Sequence, residues 1–164
     1  MPLFTGEVLH FRLYEFTPDA EHDPSQSELA LPRVLWLLDD FPINDGQTML
    51  IVRDPEAIQW DDLSDAVVGA LAVVTKRLRR HMKSALTEAT SVSILNSETS
   101  IPEPHELFVP VHDRKDPQRL WDRTYAEETR ATNERLSIMQ QRLAVPEELK
   151  RDLDAQLAVI NWGA

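Results

Sequence analysis

The sequence predicts an α+β fold: an antiparallel five-stranded sheet, one long helix packed on it, and a C-terminal helical extension. Three observations carry this. Two apolar runs, 35–38 and 47–53, are separated by Pro42, Asn44, Asp45 and Gly46, the spacing and chemistry of an antiparallel hairpin. Leu63, Val67, Ala70, Leu71, Val74, Leu78, Met82 and Leu86 then recur at the 3.6-residue period of a helix. Period 2 returns at 90–95 and 104–114 before two more helical segments, so the order is β, β, β, α, β, β, α, α.

In the first strand, 6–16, the alternation points Leu9, Phe11 and Leu13 inward and His10 outward. Residues 17–28 hold Pro18 and Pro24 among acidic side chains, show no period and read as a mobile loop. The second strand, 29–39, carries Leu35, Trp36, Leu37 and Leu38 in one run, as a strand buried on both faces does. After the third strand, Asp61 or Asp62 caps the long helix, which runs to about residue 89. Val92 and Ile94 mark the β-branched fourth strand.

The fifth strand, 104–114, places Leu107, Val109 and Val111 on one face and Glu106, Phe108, Pro110 and His112 on the other. With the first face turned to the core, the second is left to solvent or a ligand, which singles out Glu106 and His112. Asp116 caps a helix with Pro117 in its first turn, reaching about residue 142. A last helix starts at Pro146 and carries Leu149, Leu153, Leu157 and Ile160. Their apolar residues predict that these two helices pack as an antiparallel pair closed by Trp162, on the sheet or against a second protomer. Residues 1–115 thus make the sheet-and-helix unit and 116–164 its helical extension.

At 164 residues and 42% hydrophobic content the chain suffices for one domain with a full core. No apolar run approaches the roughly 18 residues of a membrane span, and no basic-then-apolar leader is visible, so a cytoplasmic protein without membrane contact is expected. The absence of cysteine excludes disulfides and thiolate chemistry. A net charge of −11 disfavours nucleic acid as a partner. The basic cluster Lys76, Arg77, Arg79, Arg80 and Lys83 falls within the helix-period segment and reads as a solvated helix face rather than an anion site.

Of the five histidines, His105 and His112 share a strand but stand about 23 Å apart if it is straight, too far for two ligands of one ion. No metal and no cofactor are therefore expected. His81 borders the apolar stripe of the long helix and reads as a packed core-edge residue. Asp39 and Asp40 are adjacent on a strand and point to opposite faces, which argues against a shared catalytic pair.

Residues 38–52, running from Leu38 and Asp39 through Phe41-Pro42-Ile43-Asn44 to Gly46-Gln47-Thr48 and an apolar strand, resemble the strand-turn-strand of the histidine-triad (HIT) superfamily of nucleotide hydrolases and transferases. Gln47 stands where that family usually has His. Ser93-Ile94-Leu95-Asn96 is similar to the family's strand ending in Asn, and residues 107–114 sit where it has its His-φ-His-φ-His strand. In the family the middle histidine attacks the α-phosphate and its neighbours position and polarise it. Matching the apolar alternation puts Glu106, Phe108 and Pro110 at those positions; sliding by one puts His105, Leu107 and Val109 there, or Leu107, Val109 and Val111.

No register supplies more than one histidine, and the chain contains no His-x-His pair. A phosphoramidate intermediate needs a nucleophilic nitrogen in line with the leaving group, which Phe108 and Leu107 lack. The resemblance therefore implies a degenerate member that has lost the chemistry and acts as a nucleotide-binding or protein-interaction scaffold. It implies a purine-nucleotide site lined by Asp39, Phe41, Ile43, Asn96, Glu106 and Phe108, with Asp39 near the ribose. It also implies a homodimer paired through the long helix and the following strand, Val92 and Ile94 extending that face. The alternative is an active nucleotide phosphoanhydride hydrolase or nucleotidyl transferase with His112 or His105 as the catalytic group.

Overall fold

Burial of one sheet face beneath helices organises the chain. The structure is a computed structural model that describes residues 11–18, 32–42, 44–95, 103–111 and 131–162. Leu9, His10, Ile43, Asn96 and His112, residues 19–28 of the loop expected over 17–28 and the helix start expected at Asp116 lie outside the described residues. Five strands, β1 (Arg12–Phe16), β2 (Val34–Leu38), β3 (Thr48–Val52), β4 (Ser91–Leu95) and β5 (His105–Val111), form one sheet in the order β1-β2-β3-β5-β4, with every pairing antiparallel. The helices among the described residues are α1 (Asp65–Ala85), α2 (Asn133–Arg142) and α3 (Glu147–Ala158). This is the α+β architecture that the periods predict. None of these helices is long and apolar enough to cross a membrane.

Side chains opposite one another in antiparallel strands share a face, so the register assigns each face. Phe108 pairs with Thr48 and Ile94, Glu106 with Leu50, and Leu50 with Trp36. These point toward α1, whose Val67, Leu71, Val74, Leu78 and Met82 complete the main core with Leu136 of α2 and Leu153 and Leu157 of α3. Trp36 donates its indole N–H to the Thr48 hydroxyl at 2.8 Å, so the largest buried side chain leaves no donor unpaired. The other sheet face carries a smaller cluster of Leu35, Leu37 and Ile51 with Met49 against it.

Four expectations are corrected. In β5 the faces are reversed: Glu106, Phe108 and Pro110 lie on the α1 side, and Leu107, opposite Met49, lies with Val109 on the other. Val109 and Phe108 are both fully buried and Leu107 is nearly so, so alternation carries no information on which face meets α1. In β1 the register shifts between Arg12 and Tyr14, as at a bulge, so Phe11, Tyr14 and Phe16 point inward and Leu13 is only partly buried.

The third correction is the start of α1. Ser64, accepting from the Val67 N–H at 3.3 Å, is its cap, while Asp62 accepts from Ile58 and Gln59 in a 3₁₀ turn just before it. The fourth concerns the C-terminal helices, which do not pack on each other as a pair. α3 lies along α1 and β1, and α2 lies against β2, where Leu136, Leu153 and Leu157 join the main core. The Tyr14 hydroxyl donates to Asp154 at 2.5 Å, and Arg33 donates to the Trp162 carbonyl at 2.7 Å with its guanidinium over the indole ring. Val92 is buried, and Ile94 is partly buried against the same core.

Candidate functional site

The turn between β2 and β3 holds the polar side chains that the family resemblance singles out. Gly46 has φ +90, and a Cβ there would lie 2.7 Å from Leu86 Cδ1 at the end of α1. Only glycine meets both demands, which brings the turn close under the helix. From this turn Asn44 donates its amide to the Pro110 carbonyl at 2.8 Å. β3 begins at Thr48, opposite Phe108, so on that side Pro110 has no strand partner: its missing N–H costs no ladder bond, and Asn44 satisfies its carbonyl.

Asp39 follows β2 on the face of Leu37, and Gln47 precedes β3 on the face of Met49, which is the face away from the helices. Gln47 is buried and donates its Nε2 to Asp39 Oδ2 at 2.7 Å, while the Phe41 N–H donates to Oδ1 at 2.9 Å. Burial pushes the Asp39 carboxyl above its ordinary value, these two donors oppose that, and Asp40 adds to it. Phe41 beside it is 50% exposed. Gln47 is the residue whose role the sequence left unassigned; as Asp39's orienting donor it takes a structural place in the turn.

The strand beneath this pair is β5. Val109 lies one step past the Thr48 and Phe108 pair, level with Gln47; Leu107 is opposite Met49, and His105 opposite Ile51. Of the three registers open in the sequence, the two that contain Leu107 and Val109 share a face with Asp39 and Gln47; the one built on Glu106, Phe108 and Pro110 does not. Leu107 is 8% and Val109 0% exposed, and neither has a nucleophilic atom. His105 is about 13 Å along the strand from the level of Gln47 and holds its Nδ1 2.9 Å from the Glu103 carbonyl.

Glu106 and Phe108 stand on the opposite side of the sheet. The Thr75 hydroxyl donates to Glu106 Oε2 at 2.9 Å, and burial raises the carboxyl above its usual 4.5, with the hydroxyl opposing. A folded-state value above the unfolded one means that the folded chain binds more protons. Stability therefore falls as pH rises through the window that opens at 4.5 and closes at the raised value. Glu106→Gln keeps an acceptor for Thr75 and removes that loss. Thermal denaturation between about pH 4 and pH 8 is expected to show the variant more stable than the parent at neutral pH, the gap closing toward acid. A gap that is constant with pH would contradict this reading.

His81 belongs to the architecture: Nε2 donates to the Leu143 carbonyl at 3.0 Å and its ring meets the Trp36 indole edge-on. Among the described residues, no three His, Asp or Glu side chains are grouped so as to hold a metal ion.

No family model matches the chain, and no curated protein matches it. Solved structures do. A hypothetical histidine triad nucleotide-binding protein from Sulfolobus tokodaii strain 7 aligns with TM-score 0.59 at 15% identity over 93% of this chain and 91% of its own. A histidine triad protein from Bradyrhizobium japonicum aligns with TM-score 0.56 at 18% identity over 69% and 83%. A Hit-like protein involved in cell-cycle regulation from Bartonella henselae aligns with TM-score 0.55 at 14% identity over 81% and 83%. At such identities the likeness is one of fold, and the fold is HIT-like.

Proposed function

We propose that this chain, a HIT-like fold without a triad of histidines, is a scaffold that holds a purine nucleotide and does not cleave it. The observation that supports the reading is the pairing of Asp39 with Gln47 on a sheet face where β5 carries the buried Leu107 and Val109, which have no nucleophilic or acidic atom. A carboxylate has about four acceptor positions, so Asp39, with one donor on each oxygen, keeps capacity for the two hydroxyls of a ribose. Phe41, half exposed one turn residue away, supplies an aromatic surface for a base. Ile43 and Asn96 complete the proposed site from the family resemblance, and Glu106 and Phe108 stay with the core. One neighbour in fold carries nucleotide binding in its name, which is in keeping with this assignment.

Calorimetric titration with adenosine and guanosine monophosphates tests the proposal. Binding is expected, with Asp39→Ala weakening it about tenfold, the usual scale for a lost hydrogen bond to a charged group. Hydrolysis of adenosine phosphoramidate and of dinucleoside polyphosphates is expected to equal the buffer rate. A rate that disappears in His105→Ala or His112→Ala would establish the alternative, an active hydrolase or transferase. Absence of binding to either nucleotide would leave a protein-interaction scaffold.

A further inference from the structure

The outer surface of α1 carries a feature that the nucleotide reading does not use. Lys76, Arg79, Arg80 and Lys83 recur at i, i+3, i+4 and i+7, and so form one stripe two turns long. Lys76, Arg80 and Lys83 are exposed, and Arg79 is partly buried with its Nε shielded from solvent and without a hydrogen-bond partner. None of the four makes an ion pair with a described residue, whereas Arg77, on the neighbouring flank, pairs with Asp152 of α3 at 3.4 Å. Thr75, on the other flank, reaches Glu106 of β5, so the stripe lies between the two flanks, opposite the buried residues of α1. Four unpaired cations stand together on a chain whose net charge is −11.

We propose that this stripe docks an acidic segment of another protein. Lys76 to Lys83 span about 10 Å of helix, a length that three or four carboxylates of a short Asp- and Glu-rich stretch cover. Screening acts over about 8 Å at physiological salt, so the partner meets the local cations at contact while the negative remainder of the surface repels a longer polyanion. A nucleic acid is such a polyanion and finds cations for only a few of its phosphates. A second copy whose two-fold axis passed through the stripe would set it against itself, like charge on like.

The test uses the full chain and fluorescein-labelled octaglutamate, followed by anisotropy at about 20 mM and about 150 mM sodium chloride. Binding is expected at low salt and weaker at high salt. The triple variant Lys76→Glu, Arg80→Glu, Lys83→Glu is expected to weaken it by about tenfold or more, since each exposed pair contributes a factor of a few. The control Lys150→Glu, Arg151→Glu reverses two exposed charges on α3 and is expected to change binding by less than about twofold. Circular dichroism confirms that both variants fold. The proposal is overturned if octaglutamate does not bind, if the control loses as much as the triple variant, or if octathymidylate binds more tightly. Self-association of the parent that the triple variant abolishes would also overturn it, assigning the stripe to a second copy.

Discussion

Removal of residues 145–164 is expected to abolish folding. Leu153, Leu157 and Ile160 are buried in the main core, and each such side chain contributes about 1.5–3 kcal/mol, so roughly 5–9 kcal/mol leaves with them. Domains of this size are stable by only about 5–15 kcal/mol. The truncation also strips Tyr14 of Asp154 and exposes a guanidinium, that of Arg33, which is otherwise covered by Trp162. The expected product is insoluble or lacks a cooperative thermal transition. A soluble truncation with a sharp transition would show that α3 is an appendage and that β1 and β2 are covered without it.

Phe108→Ala is expected to cost about 3–5 kcal/mol, the range for truncating a fully buried phenylalanine. Phe108 lies between Thr48 and Ile94 across the two ladders, in the core that α1 completes. Urea denaturation reads the loss as a lower midpoint at unchanged slope. If the folded variant also keeps the parent's affinity for a nucleoside monophosphate, Phe108 is core alone. A stable variant with weakened nucleotide affinity would return it to the binding site and reverse the face assignment of β5.

The type and order of the described elements are legible in the sequence because each rests on a period. Val34 to Leu38 are all buried, as a continuous apolar run predicts, and the buried residues of α1 fall at the predicted spacing. Phase is a different matter. Glu106 and Phe108 alternate with Leu107 and Val109, all four are buried, and only pairing with Thr48 and Met49 says which pair meets the helix. A single inserted residue near Leu13 re-aims Tyr14 and Phe16, and nothing in their residue types announces it.

The site shows the same division. Asp39 and the turn are visible as residue types, because Pro, Asn, Asp and Gly advertise a turn. The bond from Gln47 to Asp39 follows from where two strands end, and so do those from Asn44 to Pro110 and from Thr75 to Glu106. Residues 8, 66 and 31 positions apart make these contacts, and no local pattern encodes a separation of that kind.

The placing of β5 between β3 and β4 also dictates when this chain can fold. β3 leaves the ribosome with one edge paired to β2 and the other open, and its neighbour arrives only with residues 105–111. Before then, the unpaired edge of β3 is a template on which another nascent chain could add a strand. Closure is later still for β1, because Tyr14 waits 140 residues for Asp154 and Arg33 waits 129 for Trp162. Closures of such long range raise the loop entropy that must be lost before they form, which slows folding. The first strand is therefore held from both sides only once residues 154–162 have joined it, long after its own ladder to β2 can form.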